Sequence, residues 1–300
     1  MKVGLIGLGI MGSAMSRNLI AAGFEVIGYD LSPAAVEAFE ALGGKAAESA
    51  AGVAAEAEIM ITSLPSVAAL AQVVDALVAS PGQAGILAET STFSLTDKLE
   101  AQRRLAAAGI ETLDCPLSGS GVQALVRDVV VYASGSAEAY SACLPVFEAF
   151  SRSPNHLGPF GNGTRMKFIA NLLVAIHTAA AGEAFALARK AGLDPAQVFA
   201  MVNDGAGGSR ALAVRGDMLI ADEYLPVKTM PLDLWRKDLK VIGDFAVEMG
   251  CPTPLFSACV PLFTAAVAGG LGSQDTAAVA VVSEAMAGLR TMQSLSRQGA

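Results

Sequence analysis

A short apolar run, Val3 to Ile6, leads directly into Gly7-x-Gly9-x-x-Gly12, and a helix-patterned run from Ser13 to Ala22 follows at once. Few features constrain a fold as tightly as strand, glycine turn and helix in that order. Gly7 permits the tight turn, Gly9 lets a ligand come close to the backbone, and Gly12 lets helix and strand pack closely. The helix N-terminus then offers N–H groups and a positive dipole end to an anion, so the segment predicts a dinucleotide pyrophosphate site with Ile10 and Met11 in its turn. Asp30 closes the next apolar strand, Glu25-Val-Ile-Gly-Tyr-Asp30. A carboxylate there can accept both ribose hydroxyls of NAD and would repel a 2′-phosphate, and Leu31 to Val36 supplies no arginine, so NAD is favoured over NADP. The alternative role for Asp30 is a turn residue ahead of Ser32-Pro33.

The chain of 300 residues is long enough for one large or two medium domains. Its net charge of −8, sequence pI near 4.8 and scattered lysines and arginines argue against a nucleic-acid partner. Cys115, Cys143, Cys251 and Cys259 form no CxxC and read as reduced structural thiols of a cytoplasmic protein. Mean hydropathy is high, +0.51. The uncharged stretch from Cys251 to Gln274 is nevertheless interrupted by Pro252, Pro254, Pro261 and Gly269-Gly270-x-Gly272. It reads as a buried helix with breaks and not as a membrane span. No secretory signal is expected ahead of the glycine motif.

Up to about residue 157, β-rich runs at 2–7, 25–30, 58–63, 85–89, 110–114, 128–134 and 153–157 alternate with amphipathic segments such as 66–79 and 94–108. That alternation predicts an α/β fold, a Rossmann-type, doubly wound and mostly parallel sheet. Beyond about residue 163 the strand signal vanishes and helical patterns run over 164–191, 195–204, 208–220, 231–249, 253–268 and 274–288, with fraying expected over 293–300. The expected domains are therefore 1–163, binding the dinucleotide, and 164–300, all-helical and entered through one long interdomain helix.

A second glycine cluster, Gly158-Pro-Phe-Gly161-Asn-Gly163, opens that long helix and leads to Lys167 and Asn171, which share a helical face at i and i+4. A lysine among Phe168, Ile169, Leu172 and Leu173 near a helix start would be partly desolvated beside a positive dipole end, which suits a proton shuttle. A lysine snorkelling to water is the competing reading. The segment Asp114-Cys-Pro-Leu-Ser118-Gly-Ser120-Gly121 follows the fifth strand run, where open α/β sheets bind ligands, and its Ser/Gly turn could hold a carboxylate or be only a polar turn.

Taken in order, Gly7-x-Gly9-x-Met11-Gly12, Asp114-x-Pro116-x-Ser118-Gly119, Gly161-x-Gly163-x-x-x-Lys167-x-x-x-Asn171 and Lys237-Asp238-Leu239 resemble the β-hydroxyacid dehydrogenases, over nearly the whole chain. The family includes 3-hydroxyisobutyrate dehydrogenase and, more distantly, 6-phosphogluconate dehydrogenase. The resemblance implies that Lys167 is the acid/base and that Asn171, Ser118 and Gly119 hold the substrate. It also implies that Leu64 and Pro65 form a loop over the cofactor, that Thr92 lies near the nicotinamide ribose, and that Lys237 closes over the cofactor. Thr92 could instead belong to a helix N-cap, and Lys237 could simply neighbour Asp238. Two positions depart from the family: Ser120 stands where a second glycine is usual, adding a hydroxyl beside the expected carboxylate site that could select a more hydroxylated substrate or be a tolerated surface change, and a glycine is usual near Arg127.

His177 reads as a packed or hydrogen-bonded core histidine, with a substrate-pocket contact as the alternative, and His156 as a residue at a strand end. No HExxH or Cys/His cluster is present in the sequence, so a metal is not expected. The expected activity is NAD-dependent oxidation of a small, 3-hydroxyisobutyrate-like 3-hydroxy acid to the semialdehyde or keto acid. The alternatives are an NADPH-dependent semialdehyde or glyoxylate reductase and a threonate-like four-carbon sugar-acid dehydrogenase. Leu172 to Glu183 and Ser273-x-Asp275 resemble the sugar-acid subgroup. A non-catalytic dinucleotide-binding protein is the competing class, disfavoured by the Lys167/Asn171 pair. Apolar late helices predict a homodimer or homotetramer, with no membrane and no nucleic-acid partner.

Overall fold

The computed structural model describes residues 1–83 and 85–290, so the expectation for 293–300 lies outside the described residues. The chain separates into two compact units, Met1–Lys167 and the part from Phe168 onward.

The first unit alternates β1 (Lys2–Ile6), α1 (Ile10–Ala21), β2 (Glu25–Tyr29), α2 (Pro33–Ala41), β3 (Lys45–Ala46), α3 (Ala50–Glu56), β4 (Ile59–Thr62), α4 (Val67–Ala79), β5 (Ile86–Glu89), α5 (Leu95–Ala107) and β6 (Glu111–Asp114). These six strands form one sheet in the order β3-β2-β1-β4-β5-β6, and every neighbouring pair is parallel. Alternate strand residues feed two cores. Val3, Leu5, Val26, Ile59 and Ile61 face the layer holding Met15 and Leu19 of α1. Ile6, Ile27, Met60 and Leu87 face the layer holding Val53, Val73 and Leu105. With both faces covered, the strands read as apolar runs and not as polar alternations. Strand order reverses between β1 and β4, so their carboxyl ends open the crevice where doubly wound sheets take ligands.

The chain then adds β7 (Leu117–Ser118), α6 (Gly121–Leu125), β8 (Val130–Ala133), α7 (Ala137–Phe150) and β9 (Ser153–His156). Here the structure departs from the sequence expectation of one sheet. β8 pairs antiparallel to β7 and parallel to β9, forming a separate three-stranded sheet. It meets the main sheet through an antiparallel bridge between Asp114 and Ser134. Pro116, with no N–H to donate, interrupts the ladder after β6 and lets the chain turn back.

α8 (Asn162–Lys190) contributes its first turns to the first unit. The second unit holds the rest of α8 with α9 (Pro195–Asp204), α10 (Arg210–Ala221), α11 (Leu232–Glu248), α12 (Pro254–Ala266) and α13 (Val279–Met286). Its core gathers Phe185, Trp235, Phe256, Phe263, Leu271 and the run Ala277 to Val282. Gly182 lets α8 lie against Ala280, where a Cβ would come 2.9 Å from that residue's Cα. The apolar stretch after Cys251 forms α12 and a π-helical turn, Val267–Leu271, that kinks at Gly270 (φ 88°). It is less buried than the sequence suggested: Phe256, Cys259, Phe263 and Ala266 face the core while Leu255 is exposed. Among the described residues, two helical segments, Asn162–Lys190 and Pro254–Leu271, are long and apolar enough to cross a membrane by length and composition. Both place a buried stripe in a protein core.

Candidate active site

The glycine turn follows β1, and each glycine is required for a different reason. At Gly7 the backbone is left-handed (φ 95°), and a Cβ would stand 2.2 Å from the Ser63 carbonyl. At Gly12 a Cβ would strike the Gly7 carbonyl at 1.9 Å, so the helix could not sit this close to its strand. At Gly9 nothing lies within 4 Å of the Cβ position. Open space at the middle glycine, between two that are packed, is what a ligand's close approach to the backbone calls for.

α1 begins at Ile10, earlier than the sequence pattern suggested, with Gly9 as its N-cap and no side chain capping it. By contrast α2 to α7 are capped by Ser32, Ser49, Ser66, Ser94, Ser120 and Ser136. Thus the N–H groups at Ile10, Met11 and Gly12 meet no capping hydroxyl, and the chain's own residues fit a dinucleotide pyrophosphate there. Asp30, at the end of β2, accepts from the Leu8 N–H (2.7 Å) and from the Ser32 N–H (2.8 Å). It therefore serves the turn role and also ties the glycine turn to β2.

Leu64 and Pro65 follow β4, where the Leu64 N–H donates to Ser91 Oγ at 2.9 Å and Pro65 is exposed. Thr92 is half-buried after β5, two residues ahead of the α5 cap, Ser94, so it flanks that N-cap without being the capping residue.

Ser118 is half-buried at the end of β7. Gly119 has φ 144°, and a Cβ there would meet Val129 Cγ1 at 2.6 Å, so glycine is required. Ser120 does not offer a spare hydroxyl. Its Oγ and the Gln123 amide form a reciprocal capping box at the start of α6, in which Ser120 N–H donates to Gln123 Oε1 at 3.0 Å. The idea that Ser120 selects a more hydroxylated substrate therefore has a structural competitor that already employs its hydroxyl. α6 lies against the glycine turn: a Cβ on Gly121 would touch Ile10 Cγ2 at 2.3 Å, and Asn18 Nδ2 donates to the Ala124 carbonyl at 2.8 Å. Arg127 occupies a left-handed position (φ 61°), which accounts for a glycine being usual nearby.

Lys167 lies in the second turn of α8 and is only 8% exposed, which excludes a lysine snorkelling freely to water. Asn171, one helical turn further on, belongs to the second unit. Its Nδ2 donates to Asp238 Oδ2 at 2.9 Å, and Asp238 Oδ1 accepts from Lys237 Nζ at 2.8 Å. Lys237 thus neighbours its acidic partner, and Asp238 is the buried hinge of this trio. Asp275, which the sequence pattern associated with sugar-acid substrates, is fully buried. It binds the backbone of Lys228, Thr229 and Ala277, so its carboxylate is structural. His177 is exposed, contrary to the core reading, because it lies off the stripe formed by Ala175, Ala179 and Ala186. His156 stacks on Tyr140 with centroids 4.9 Å apart. Among the described residues, no group of three or more His, Cys, Asp or Glu could hold a metal ion.

Residues 2–158 match the family described as the NAD binding domain of 6-phosphogluconate dehydrogenase. The chain belongs to the β-hydroxyacid dehydrogenases. Residues 161–283 match the family described as the NAD-binding region of NADP-dependent 3-hydroxyisobutyrate dehydrogenase. An L-threonate dehydrogenase of Cupriavidus necator is 32% identical over 93% of this chain and 94% of its own. A 2-(hydroxymethyl)glutarate dehydrogenase of Eubacterium barkeri is 30% identical over 96% of each. A crystal structure of 3-hydroxyisobutyrate dehydrogenase from Salmonella typhimurium is 32% identical, covers 94% of this chain and 99% of its own, and superposes with a TM-score of 0.85. The protein is an oxidoreductase with an NAD(P)-binding domain, and the three dehydrogenases it resembles here are named for hydroxy acids.

One group was missed by sequence reasoning. Glu89 and Asp114 end neighbouring strands in register, and Lys98 of α5 pairs with both at 2.7 Å. Burial works to lower the Lys98 pKa, but the Asp114 and Glu89 carboxylates outweigh it and hold the ammonium above its ordinary value. A signal was present: Lys98, Ala101 and Leu105 share a spacing that puts the lysine on the buried face of α5.

Proposed function

We propose that this dehydrogenase oxidises a small 3-hydroxy acid with NAD, using Lys167 as its acid/base. The observation that carries the reading is the seating of the first turn of α8 on the segment that leads into Ser118. The Thr164 N–H donates to Asp114 Oδ2 at 2.7 Å, and a Cβ on Gly163 would lie 2.7 Å from the Asp114 carbonyl and 3.1 Å from Pro116. One strand end thus positions both the helix bearing Lys167 and the turn bearing Ser118.

In oxidation, Ser118 Oγ and the Gly119 N–H hold the substrate carboxylate, and Asn171 holds the substrate through its hydroxyl or its carboxylate. Lys167 Nζ takes the hydroxyl proton as the C–H bond gives up its hydride. NAD, when bound, supplies the hydride acceptor. Asp30 supports NAD over NADP, since its carboxylate stands at the end of β2 with no arginine among residues 31–36 to receive a 2′-phosphate. A second reading, with a four-carbon sugar acid as substrate, is favoured by the identity to the L-threonate dehydrogenase. We place the enzyme in the cytoplasm as a homodimer or homotetramer. Exposed Leu187, Leu255 and Met286 in the second unit support the assembly.

An initial-rate panel tests the function: 3-hydroxyisobutyrate, glycerate, serine, L-threonate and 3-hydroxypropionate, each with NAD and with NADP. Turnover of at least one acid, faster with NAD, is expected. Preference for L-threonate selects the second reading, faster rates with NADP overturn the cofactor assignment, and no turnover of any acid overturns the substrate class.

A further inference from the structure

The Glu89–Lys98–Asp114 group has more to do than neutralise itself. Register partners on parallel strands stand roughly 4.8 Å apart and point to one face, so burying two carboxylates there demands a cation between them. Lys98, 1% exposed, supplies it. One positive charge against two negative ones leaves the remaining carboxylate oxygens to be met by other donors, and each donor leads to a different part of the site.

On the Glu89 side, Oε1 accepts from the Ser91 N–H at 2.8 Å, and Ser91 Oγ accepts from the Leu64 N–H at 2.9 Å. This arm holds the loop after β4. On the Asp114 side, Oδ1 accepts from Thr164 Oγ1 at 2.8 Å and Oδ2 from the Thr164 N–H at 2.7 Å. Ser134 Oγ is 3.3 Å from Asp114 Oδ2 and accepts from the Gly163 N–H at 2.9 Å. This arm grips the first turn of α8, three residues before Lys167. Asp114 therefore acts as an N-cap delivered from a strand, its negative charge set against the positive end of the helix.

We propose that the buried Glu89–Lys98–Asp114 triad is a positioning device that sets two parts of the reaction separately, the Lys167 turn through Thr164 and the Leu64–Pro65 loop through Ser91. A buried ion pair is a poor route to stability compared with apolar packing, but it fixes geometry. The inference rests on the reading of Lys167 as the acid/base.

Four variants test it: Thr164→Val, Thr164→Ser, Ser91→Ala and Lys167→Ala, each assayed for kcat, for KM toward NAD and for NADH binding by fluorescence. Thr164→Val keeps the shape and the backbone donor but loses the hydroxyl. Its kcat should fall about ten- to a hundredfold, the scale set by small misplacements of a reacting group, with KM for NAD within twofold. Thr164→Ser should restore kcat to within about threefold. Ser91→Ala should instead raise KM for NAD and weaken NADH binding, each about tenfold, at nearly unchanged kcat, and far-UV circular dichroism with thermal unfolding reports that each variant is folded. The inference is overturned if Thr164→Val keeps kcat within twofold, if serine fails to rescue it, or if Ser91→Ala lowers kcat and leaves KM alone. Turnover by Lys167→Ala within tenfold of native, in contrast, overturns the acid/base reading itself, so the two failures are distinguishable.

Discussion

Replacing Lys98 with methionine removes the one cation between two buried carboxylates and leaves a side chain of similar length. Lys98 is 1% exposed, Glu89 3% and Asp114 0%, so water cannot take over the role of the ammonium. Removing one partner of a buried ion pair costs about 3–5 kcal/mol, because the charge left behind keeps its desolvation penalty. The first unit should lose about that much stability. Intrinsic fluorescence would not see it, since the single tryptophan, Trp235, is buried in the second unit's core. Amide hydrogen exchange does resolve the units. Peptides covering 86–89 and 111–114 should exchange about a hundredfold or more faster at neutral pH, while 279–286 changes little. Adding Glu89→Gln should recover part of the loss, because one carboxylate is then neutral. The pH dependence has a definite sign. A lysine whose folded pKa is raised stabilises the fold fully below its unfolded value of about 10.4, and the contribution is lost as pH rises beyond that. The native protein should therefore lose first-unit stability above about pH 10.4 more steeply than Lys98→Met. A cost below about 1 kcal/mol, or the same alkaline slope in both proteins, would refute the reasoning.

Other consequences follow from single positions. Gly9→Ala meets no atom within 4 Å, so its thermal stability should stay within about 0.5 kcal/mol while NADH affinity, read by fluorescence titration, falls at least about tenfold. Gly12→Ala must displace the Gly7 carbonyl 1.9 Å from its Cβ and should cost about 1–3 kcal/mol in addition to cofactor binding, seen by calorimetry with and without NADH. Of the four cysteines only Cys251 is exposed, and burial pushes the Cys143 thiol up to about 12. Ellman's reagent should therefore modify one thiol per native chain rapidly at pH 8, and none in Cys251→Ser. Sedimentation should give a dimer or tetramer, and a monomer at micromolar concentration would contradict the assembly we propose.

Much of this architecture was readable because its signals are local. Apolar runs bounded by turns gave the strands 2–7, 25–30, 58–63, 85–89 and 110–114 to within a residue or so at each end. The helical half was equally legible: 195–204 was expected and is the observed α9. What escaped depended on partners distant in the chain. β7 is two residues long and exists because Leu117 and Ser118 pair with Val131 and Val130, a relation no periodicity reports. His177 sits in an apolar sequence but falls on the exposed face of α8. In the site, the glycines, Lys167 and Asn171 stood out as motifs. The triad did not, because Glu89, Lys98 and Asp114 come from three elements and meet only once β5 and β6 are in register. Each carried a faint mark: an acid ending an apolar strand, or a lysine at a buried helical spacing.

In the proposed reaction Lys167 moves the proton while the cofactor is held elsewhere, by the glycine turn. Purified Lys167→Ala, titrated with NADH in one aliquot and assayed in another with NAD and the best acid from the substrate panel, tests both halves in one preparation. NADH binding within about threefold of the native enzyme and a kcat lower by at least about a hundredfold are expected. Turnover within tenfold of native, with NADH bound normally, would contradict it.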